Sequence, residues 1–509
     1  MKKTRLLIIG TAQQQYIKSY IAKVDRETTE IHLLVPERDR NVYPSEKTTY
    51  FNGTFHPLFT PLLKCMLSFR PDEAVIVCGM IYDHDNVVRA VNFYSCFWNL
   101  QLNIAVRENN YDAAPTLRPS PTMEILKWVG LGIIAIAIKA FRPLITIRVG
   151  EIYSSRLGHL AMECEIYLSE RDTGRYRNCL DLFYFKDGRV ANKTLADLYC
   201  RQMKISPKYS LILDAIRRNN LTNNHEIILN TRRVASVRDV ECVMQLTDNH
   251  LEFNNAERAK GLAGVTDLGL SSVKPHVCLF GRDPAYLGTK NPEHHDADMQ
   301  EVRDMNINNL KPCAEFLLDE GYNVLRMGCE VKAPLEIMRD GFMDYSTSGK
   351  RSDFMDVYLT ATCKFFVGIQ SGLMHVPMVF RIPCVSVNVV RLEIIHFCSP
   401  EDLAIFKLLW SKSKKRILTV KEQLESGISR WRVEQFANSD IEVIDNTEDE
   451  ILEATKEMHA RVNGKWTTNE EDMELQKRFH SLFKPSYLNT KFVTPVSTYF
   501  LRKHEKELF

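Results

Sequence analysis

Apolar positions along this chain switch repeatedly between two spacings. Arg5–Gly10, Glu30–Pro36, Ala74–Met80 and Leu102–Val106 are short apolar or β-branched runs that read as strands. Between them, Tyr16–Val24, Leu58–Leu67 and Val87–Leu100 repeat apolar residues near every 3.6 positions, as helices do. Strands alternating with helices predict a parallel sheet, so residues 1–115 are expected to form a small Rossmann-like domain. Its first turn, Gly10-Thr11-Ala12-Gln13, lacks GxGxxG spacing, which leaves dinucleotide binding without support. Asp83-His84-Asp85-Asn86 follows a strand's carboxyl end, where α/β sheets place ligands. A polar loop with an N-cap is the simpler reading, and neighbouring residues rarely close on one metal ion unaided. No metal and no cofactor is predicted.

The same alternation returns twice more. Residues 144–265 begin with the strand Leu144–Gly150 and a loop, Ser154 to Glu163, entering a helix. Strands at Leu182–Lys186 and Glu226–Leu229 and a periodic Glu241–Asn255 follow, and Gly261 to Ser272 reads as an interdomain linker. Residues 272–445 carry strands at His276–Phe280, Tyr322–Met327, Phe365–Ile369 and Ile382–Asn388. Helices are expected there at Asp304–Glu320, closed by Gly321 as a C′ glycine, and at Asp353–Thr362. Residues 446–509 form a charged helical tail, bearing Pro485 and Pro495, expected to pack back over an earlier domain.

A Pro-bearing linker, Asn109 to Pro121, precedes an almost wholly apolar segment, Ile125–Ile138, within the connecting region 116–143. Fourteen helical residues span roughly 21 Å, short of the ~30 Å hydrocarbon core. Any extension brings Lys139 and Arg142 inside the run, so a membrane span is disfavoured. A buried core helix and an interfacial membrane helix both stay open.

Bulk properties narrow the function. The chain has 509 residues, too many for one ordinary core, and a net charge of +2, which argues against a dedicated nucleic-acid binder. Thirteen cysteines occur without a CxxC pair or regular framework, as expected of reduced thiols in the cytoplasm. The apolar run near Met1 is too short for a signal peptide and reads as a first strand.

Candidate chemistry gathers at strand ends of the third stretch. The turn Gln370-Ser371-Gly372, with His375 beyond it, joins a buried strand to a helical pattern. Unpaired amides and the helix dipole make such a turn an anion site, although a plain loop capped by Ser371 has the same sequence. Arg282 with Asp283, and Arg326 with Gly328, fall at other strand ends on the same expected rim. Two arginines and a helix start could cradle a diphosphate. Without a P-loop or GxGxxG, that diphosphate points to a nucleotide sugar held between two Rossmann-like domains.

Phe280-Gly281-Arg282-Asp283, Glu320–Gly328, Arg351-Ser352-Asp353-Phe354, Gln370-Ser371-Gly372-Leu373 and Val376-Pro377…Ile382-Pro383…Val387-Asn388 resemble a family of bacterial glycosyltransferases of the GT-B type. Arg156-Leu157-Gly158-His159-Leu160 with Glu170-Arg171-Asp172 resembles that family's acceptor-side motif, and Ser371–His375 is distantly similar to the donor loop of heptosyltransferases. The resemblance covers roughly residues 144–425 and implies an α/β, GT-B-like pair of Rossmann-like domains preceded by the small N-terminal one. It implies transfer of a sugar from a nucleotide diphosphate to a hydroxyl of a surface polysaccharide or glycolipid, without a metal. The partners implied are a nucleotide-sugar donor and a glycan or lipid-linked acceptor, with a peripheral membrane contact through 125–138 at the inner face of the cytoplasmic membrane. An epimerase or hydrolase on the same scaffold, or a non-catalytic nucleotide-sugar binder, are the alternatives. His159 is the candidate general base, with Glu163 and Asp172 as competing carboxylates. Arg156 is expected to position donor phosphate or acceptor, and Arg303 with Asp304 to contact phosphate or cap a helix. Asp353 either caps its helix or holds a ribose hydroxyl.

Overall fold

The computed structural model describes residues 3–10, 17–18, 21–22, 24–36, 42, 47–51, 68–69, 71, 73–78, 101–106, 121–229, 238–282, 302, 304–329, 331–394, 399–431, 435–436, 439–485 and 493–509. The expected helices at Leu58–Leu67 and Val87–Leu100, the Asp83–Asn86 loop, most of Tyr16–Val24 and the linker up to Ser120 lie outside these residues. The chain divides into two compact units, Met1–Val149 with Ser210–Glu226, and Gly150–Tyr209 with Ile227–Phe509.

In the first unit, β1 (Thr4–Gly10), β2 (Thr29–Pro36), β3 (Lys47–Phe51), β4 (Glu73–Cys78) and β5 (Gln101–Val106) form an all-parallel sheet of order β3-β2-β1-β4-β5. Leu6, Ile8, Ile31, Leu33 and Val35 pack with Ile17 and Ile21 in one cluster. Leu7, Ile9 and Leu34 are buried as well, so the central strands are covered on both faces. That double burial is why they read as continuous apolar runs. The edge strand β3 escaped the pattern because Lys47-Thr48-Thr49 offers no such run.

Helix α1 (Pro121–Phe141) is longer than its apolar segment. Proline suits a first helical position, where its missing N–H has no partner to lose. A core helix would bury its whole circumference. Among the helix residues whose burial is described, Leu131, Ala135 and Ile138 are buried, whereas Leu126, Ile133 and Ile136 are 67%, 63% and 70% exposed. Among the described residues, no helix is long and apolar enough to cross a membrane.

β6 (Thr146–Ile152) runs into α2 (Leu157–Asp172) and lies between β7 (Cys179–Phe185) and β8 (Glu226–Ile227) in a three-stranded sheet. This half is therefore smaller than the Rossmann-like domain expected over 144–265. After β7 the chain turns into helices such as α3 (Lys193–Gln202), and the periodic Glu241–Asn255 yields only a 3-10 turn at Val243–Gln245. The predicted linker at Gly261–Ser272 is also corrected. Residues 261–267 belong to α4 (Asn255–Asp267), started by a capping box between Asn254 and Glu257. Gly261 and Gly264 lie against Tyr358 and Met355, so these glycines serve close helix packing and do not break the chain.

The larger sheet of the second unit joins β9 (His276–Phe280), β10 (Asn323–Arg326), β11 (Phe342–Asp344), β12 (Phe366–Ile369), β13 (Cys384–Val389) and β14 (Leu403–Phe406). Its order is β11-β10-β9-β12-β13-β14 and every pairing is parallel. Numbered from β9, that is 3-2-1-4-5-6, the doubly wound order whose ligand crevice opens where β9 and β12 part. Gly368 is required at that point, because a Cβ there would sit 2.6 Å from the Phe280 carbonyl oxygen. Between β9 and β10, α5 (Lys311–Asp319) starts later than Asp304 because Pro312 fits only its first turn. Gly321 closes it at φ +85°, as predicted. α6 (Asp353–Thr362) and the short α7 (His375–Val379) flank β12.

The tail completes this core. α8 (Glu448–Val462) packs on α5, and Phe406 of β14 stacks on Phe479 and meets Phe500 edge-on, at 5.5 and 4.8 Å. Glu450 anchors the final helices, accepting from Lys503 Nζ at 2.8 Å and His504 Nε2 at 2.7 Å. Burial alone would raise the Glu450 carboxyl, but these bonds outweigh it and hold it at about 2. A depressed carboxylate contributes stability above its unfolded value and loses it on acidification. Thermal unfolding should therefore show stability falling by on the order of 3 kcal/mol as pH drops from about 4.5 towards 2. Glu450→Gln should destabilise the chain at neutral pH and flatten that acid limb.

Candidate functional site

Two turns at strand carboxyl ends meet in the second unit. One is the β6–α2 turn, Tyr153 to Arg156, leading into Leu157-Gly158-His159; the other is Gln370–Met374, between β12 and α7. A Cβ on Gly158 would strike the Nδ1 side of His375 and sit 3.1 Å from Gly372 Cα. A Cβ on Gly372 would sit 3.1 Å from the Gly158 nitrogen. The two backbones touch because neither residue carries a side chain. Ser371 Oγ accepts only a long contact from the Met374 amide, 3.5 Å, while Gln370, Ser371 and Gly372 are partly exposed and His375 is buried. The first turn of α2 adds amide dipoles beside this turn, favouring an anionic group there.

His159 lies in that first turn, partly exposed, with its ring 6.3 Å from Tyr153. Burial, assisted by the positive charge of Arg156, lowers its pKa to about 4, so the imidazole is neutral at physiological pH. Arg156 precedes the helix and is exposed, a cation available at the rim. The competing carboxylates do not join them. Glu163 is buried one turn on and accepts from the Tyr153 amide at 3.0 Å, bracing the β6–α2 turn. Asp172 ends α2, thirteen residues and about 20 Å of helix away from His159.

Among the rim candidates, Arg282 is largely buried and pairs with Asp304 at 3.4 Å, while Asp283 and Arg303 lie outside the described residues. Arg326 is corrected most clearly. Its side chain is 0% exposed at the end of β10, and Nη1 donates to Ser346 Oγ at 2.5 Å and pairs with Asp344 at 3.3 Å. This guanidinium is enclosed and paired, not exposed on the rim. Nε and Nη2 have no hydrogen-bond partner, a buried excess of donors that the pairing leaves. A Cβ on Gly328 would sit 3.0 Å from Ser346 Cβ and 3.1 Å from Val331 Cγ1, so a glycine fits this close packing. Asp353 does not cap its own helix, a task done by Ser352. It accepts instead from the Lys193 amide at 2.8 Å, capping the neighbouring α3.

A second set of polar residues was missed. Glu151 and Lys186, at the ends of β6 and β7, are buried as an ion pair at 3.2 Å. Tyr184 donates to Glu151 at 2.8 Å, and Lys186 donates to the Tyr153 hydroxyl at 3.3 Å while lying over the Tyr153 ring. Burial works against the ammonium charge of Lys186, but Glu151 overcomes it and raises the pKa. The strand-end rule applied to the third stretch would have found this cluster had it been applied to the second.

A charged network fixes α2 against the larger sheet. Glu165, fully buried, meets Arg381 Nη2 and His250 Nδ1, each at 2.9 Å, and His250 Nε2 meets Asp172 at 3.0 Å. Burial disfavours the charged imidazole, but the two carboxylates prevail and raise the His250 pKa. Glu170, the other acid of that motif, is taken by Arg175 and Tyr176. Among the described residues, no group of three or more His, Cys, Asp or Glu could hold a metal ion.

No protein-family model matches the chain, and no curated protein does. Among solved structures it is similar to the ADP-heptose LPS heptosyltransferase II of E. coli, 14% identical over 80% of this chain and 91% of that one, with a TM-score of 0.25. It is also similar to a family 9 glycosyl transferase from Veillonella parvula, at 9% identity over 90% and 98% with a TM-score of 0.27. A third is the UDP-GlcNAc 2-epimerase of Neisseria meningitidis bound to UDP-GlcNAc, at 8% identity over 91% and 100% with a TM-score of 0.20. At such TM-scores none of them assigns an activity.

The glycine contact is open to a direct check. Gly158→Ala should lower unfolding stability in urea by about 1–3 kcal/mol, because the methyl must displace His375 or backbone. Gly132→Ala, in α1 with open space around it, should be neutral or stabilising by about 0.5–1 kcal/mol.

Proposed function

We propose that this chain is a glycosyltransferase of GT-B type, moving a sugar from a nucleotide diphosphate to an acceptor hydroxyl. The observation that carries this reading is the meeting of Gly158 and Gly372, which brings the strand-end turns of two α/β halves face to face. A donor diphosphate would lie on the amides of the Gln370–Gly372 turn, with Arg156 and Arg282 as the nearest candidate cations. The Glu151–Lys186–Tyr184–Tyr153 cluster offers a carboxylate, an ammonium and two phenols beside His159, chemistry suited to a hydroxyl-bearing acceptor. A polar cluster on the acceptor side supports transfer over hydrolysis or epimerisation, which need no acceptor cleft.

In the proposed reaction the acceptor oxygen attacks the anomeric carbon and gives its proton to neutral His159. The anomeric carbon–oxygen bond breaks, and its electron pair leaves with the diphosphate, whose charge the cations and amides stabilise. The acceptor is proposed to be a surface polysaccharide or glycolipid, glycosylated at the cytoplasmic face of a membrane that the 125–138 segment contacts.

Thermal-shift measurements across UDP-, ADP-, GDP- and CMP-sugars should identify a stabilising donor, and the absence of any shift would defeat the reading. His159→Ala should leave donor affinity within about threefold and cut transfer by roughly 10²–10⁴. With the His159 pKa near 4, transfer should persist on acidification through pH 6 and fail only as pH approaches about 4. An inflection near 6.5 that vanishes in His159→Ala would contradict that environment.

A further inference from the structure

Helix α1 has two apolar faces, and its own fold covers only one. Leu131, Ala135 and Ile138 step by four and three residues along the buried side. Leu126, Val129, Ile133, Ile136 and Ala140 step by three and four along the exposed side. At about 100° per residue the two stripes lie roughly 180° apart. The exposed stripe is about 21 Å long. Phe141 and Leu144 prolong it, and Trp128 is exposed near its start. An ordinary surface helix would carry charges in place of this stripe.

Charge identifies the occupant. Between Glu124 and Glu151 the sequence holds no acidic residue, while Lys127, Lys139 and Arg142 are all exposed. Lys127 and Lys139 lie near the two ends of the exposed stripe, turned about 140° and 100° away from its centre. A helix whose apolar segment is too short to span, with aliphatic residues on its uncovered side, long cations near both ends and a tryptophan near one of them, fits the surface of an anionic bilayer.

We infer that α1 is an in-plane membrane anchor, its Leu126–Val129–Ile133–Ile136 stripe seated among acyl chains and Lys127, Lys139 and Arg142 at anionic headgroups. The inference deepens the peripheral contact proposed above but does not need the transferase reading, since lipid binding is measured without any sugar nucleotide.

The test is co-sedimentation of the full chain with phosphatidylglycerol–phosphatidylcholine vesicles and with phosphatidylcholine alone. Binding should favour the anionic vesicles and weaken as salt rises. Ile133→Asn with Ile136→Asn, both exposed and so tolerated by the fold, should reduce partitioning at least about tenfold. Lys127→Gln, Lys139→Gln and Arg142→Gln together should abolish the preference for anionic lipid. Unchanged binding in the asparagine variant would overturn the inference. So would a concentration-dependent dimer that the asparagine variant dissociates, because the stripe would then belong to a second copy of the chain. Loss of vesicle binding with donor binding intact would leave the two readings separable.

Discussion

Two backbones meet with no side chain between them where the first turn of α2 reaches the turn after β12. The second unit is arranged around that contact. Gly158 and Gly372 let the strand-end turns of two α/β halves approach to within van der Waals distance, and His375 closes one side. Gly368, four residues before Gly372 and within β12, lets that strand lie beside the Phe280 carbonyl at the point where the sheet order reverses. Any side chain at these positions would separate the turns or distort the sheet.

Helix α2 bears the other half of that constraint. Of its acids, Glu163 and Asp172 are catalytic candidates in sequence, and these two with Glu165 and Glu170 make bracing contacts in the fold. Each has at least one partner among an amide, arginine, tyrosine or histidine. The Glu165–Arg381–His250 network fixes the helix along its length, so its amino end is held at the site. Arg156 and His159, at that end, are exposed and partly exposed. The environment of His159 follows from the same placement: burial and a neighbouring cation at a helix start all disfavour the imidazolium.

The tail and α1 show opposite uses of apolar surface. Residues beyond Thr447 bring Phe479 and Phe500 onto Phe406, completing a core that the sheet alone leaves open. Helix α1 instead keeps a second apolar stripe at the surface, flanked by cations. The first covers a sheet; the second stays exposed.

The sequence by itself determined the elements whose signal is local. The double-buried strands β1, β2, β9 and β12, the helix Asp353–Thr362 and the Gly321 cap all fall where spacing and cap chemistry place them. So does the strand-end turn Gln370–Gly372, because an apolar run followed by a helix start needs no distant partner to be read. Tertiary structure alone decided what each charged or glycine residue faces. Arg326 became an enclosed partner of Asp344, and Asp353 a cap for a different helix. Glu151 and Lys186, thirty-five positions apart, became one buried pair. Gly261 and Gly264 turned from a presumed linker into a helix seat for Tyr358 and Met355. These outcomes depend on which strands lie side by side, and the spacing of apolar residues along one segment does not encode its neighbours.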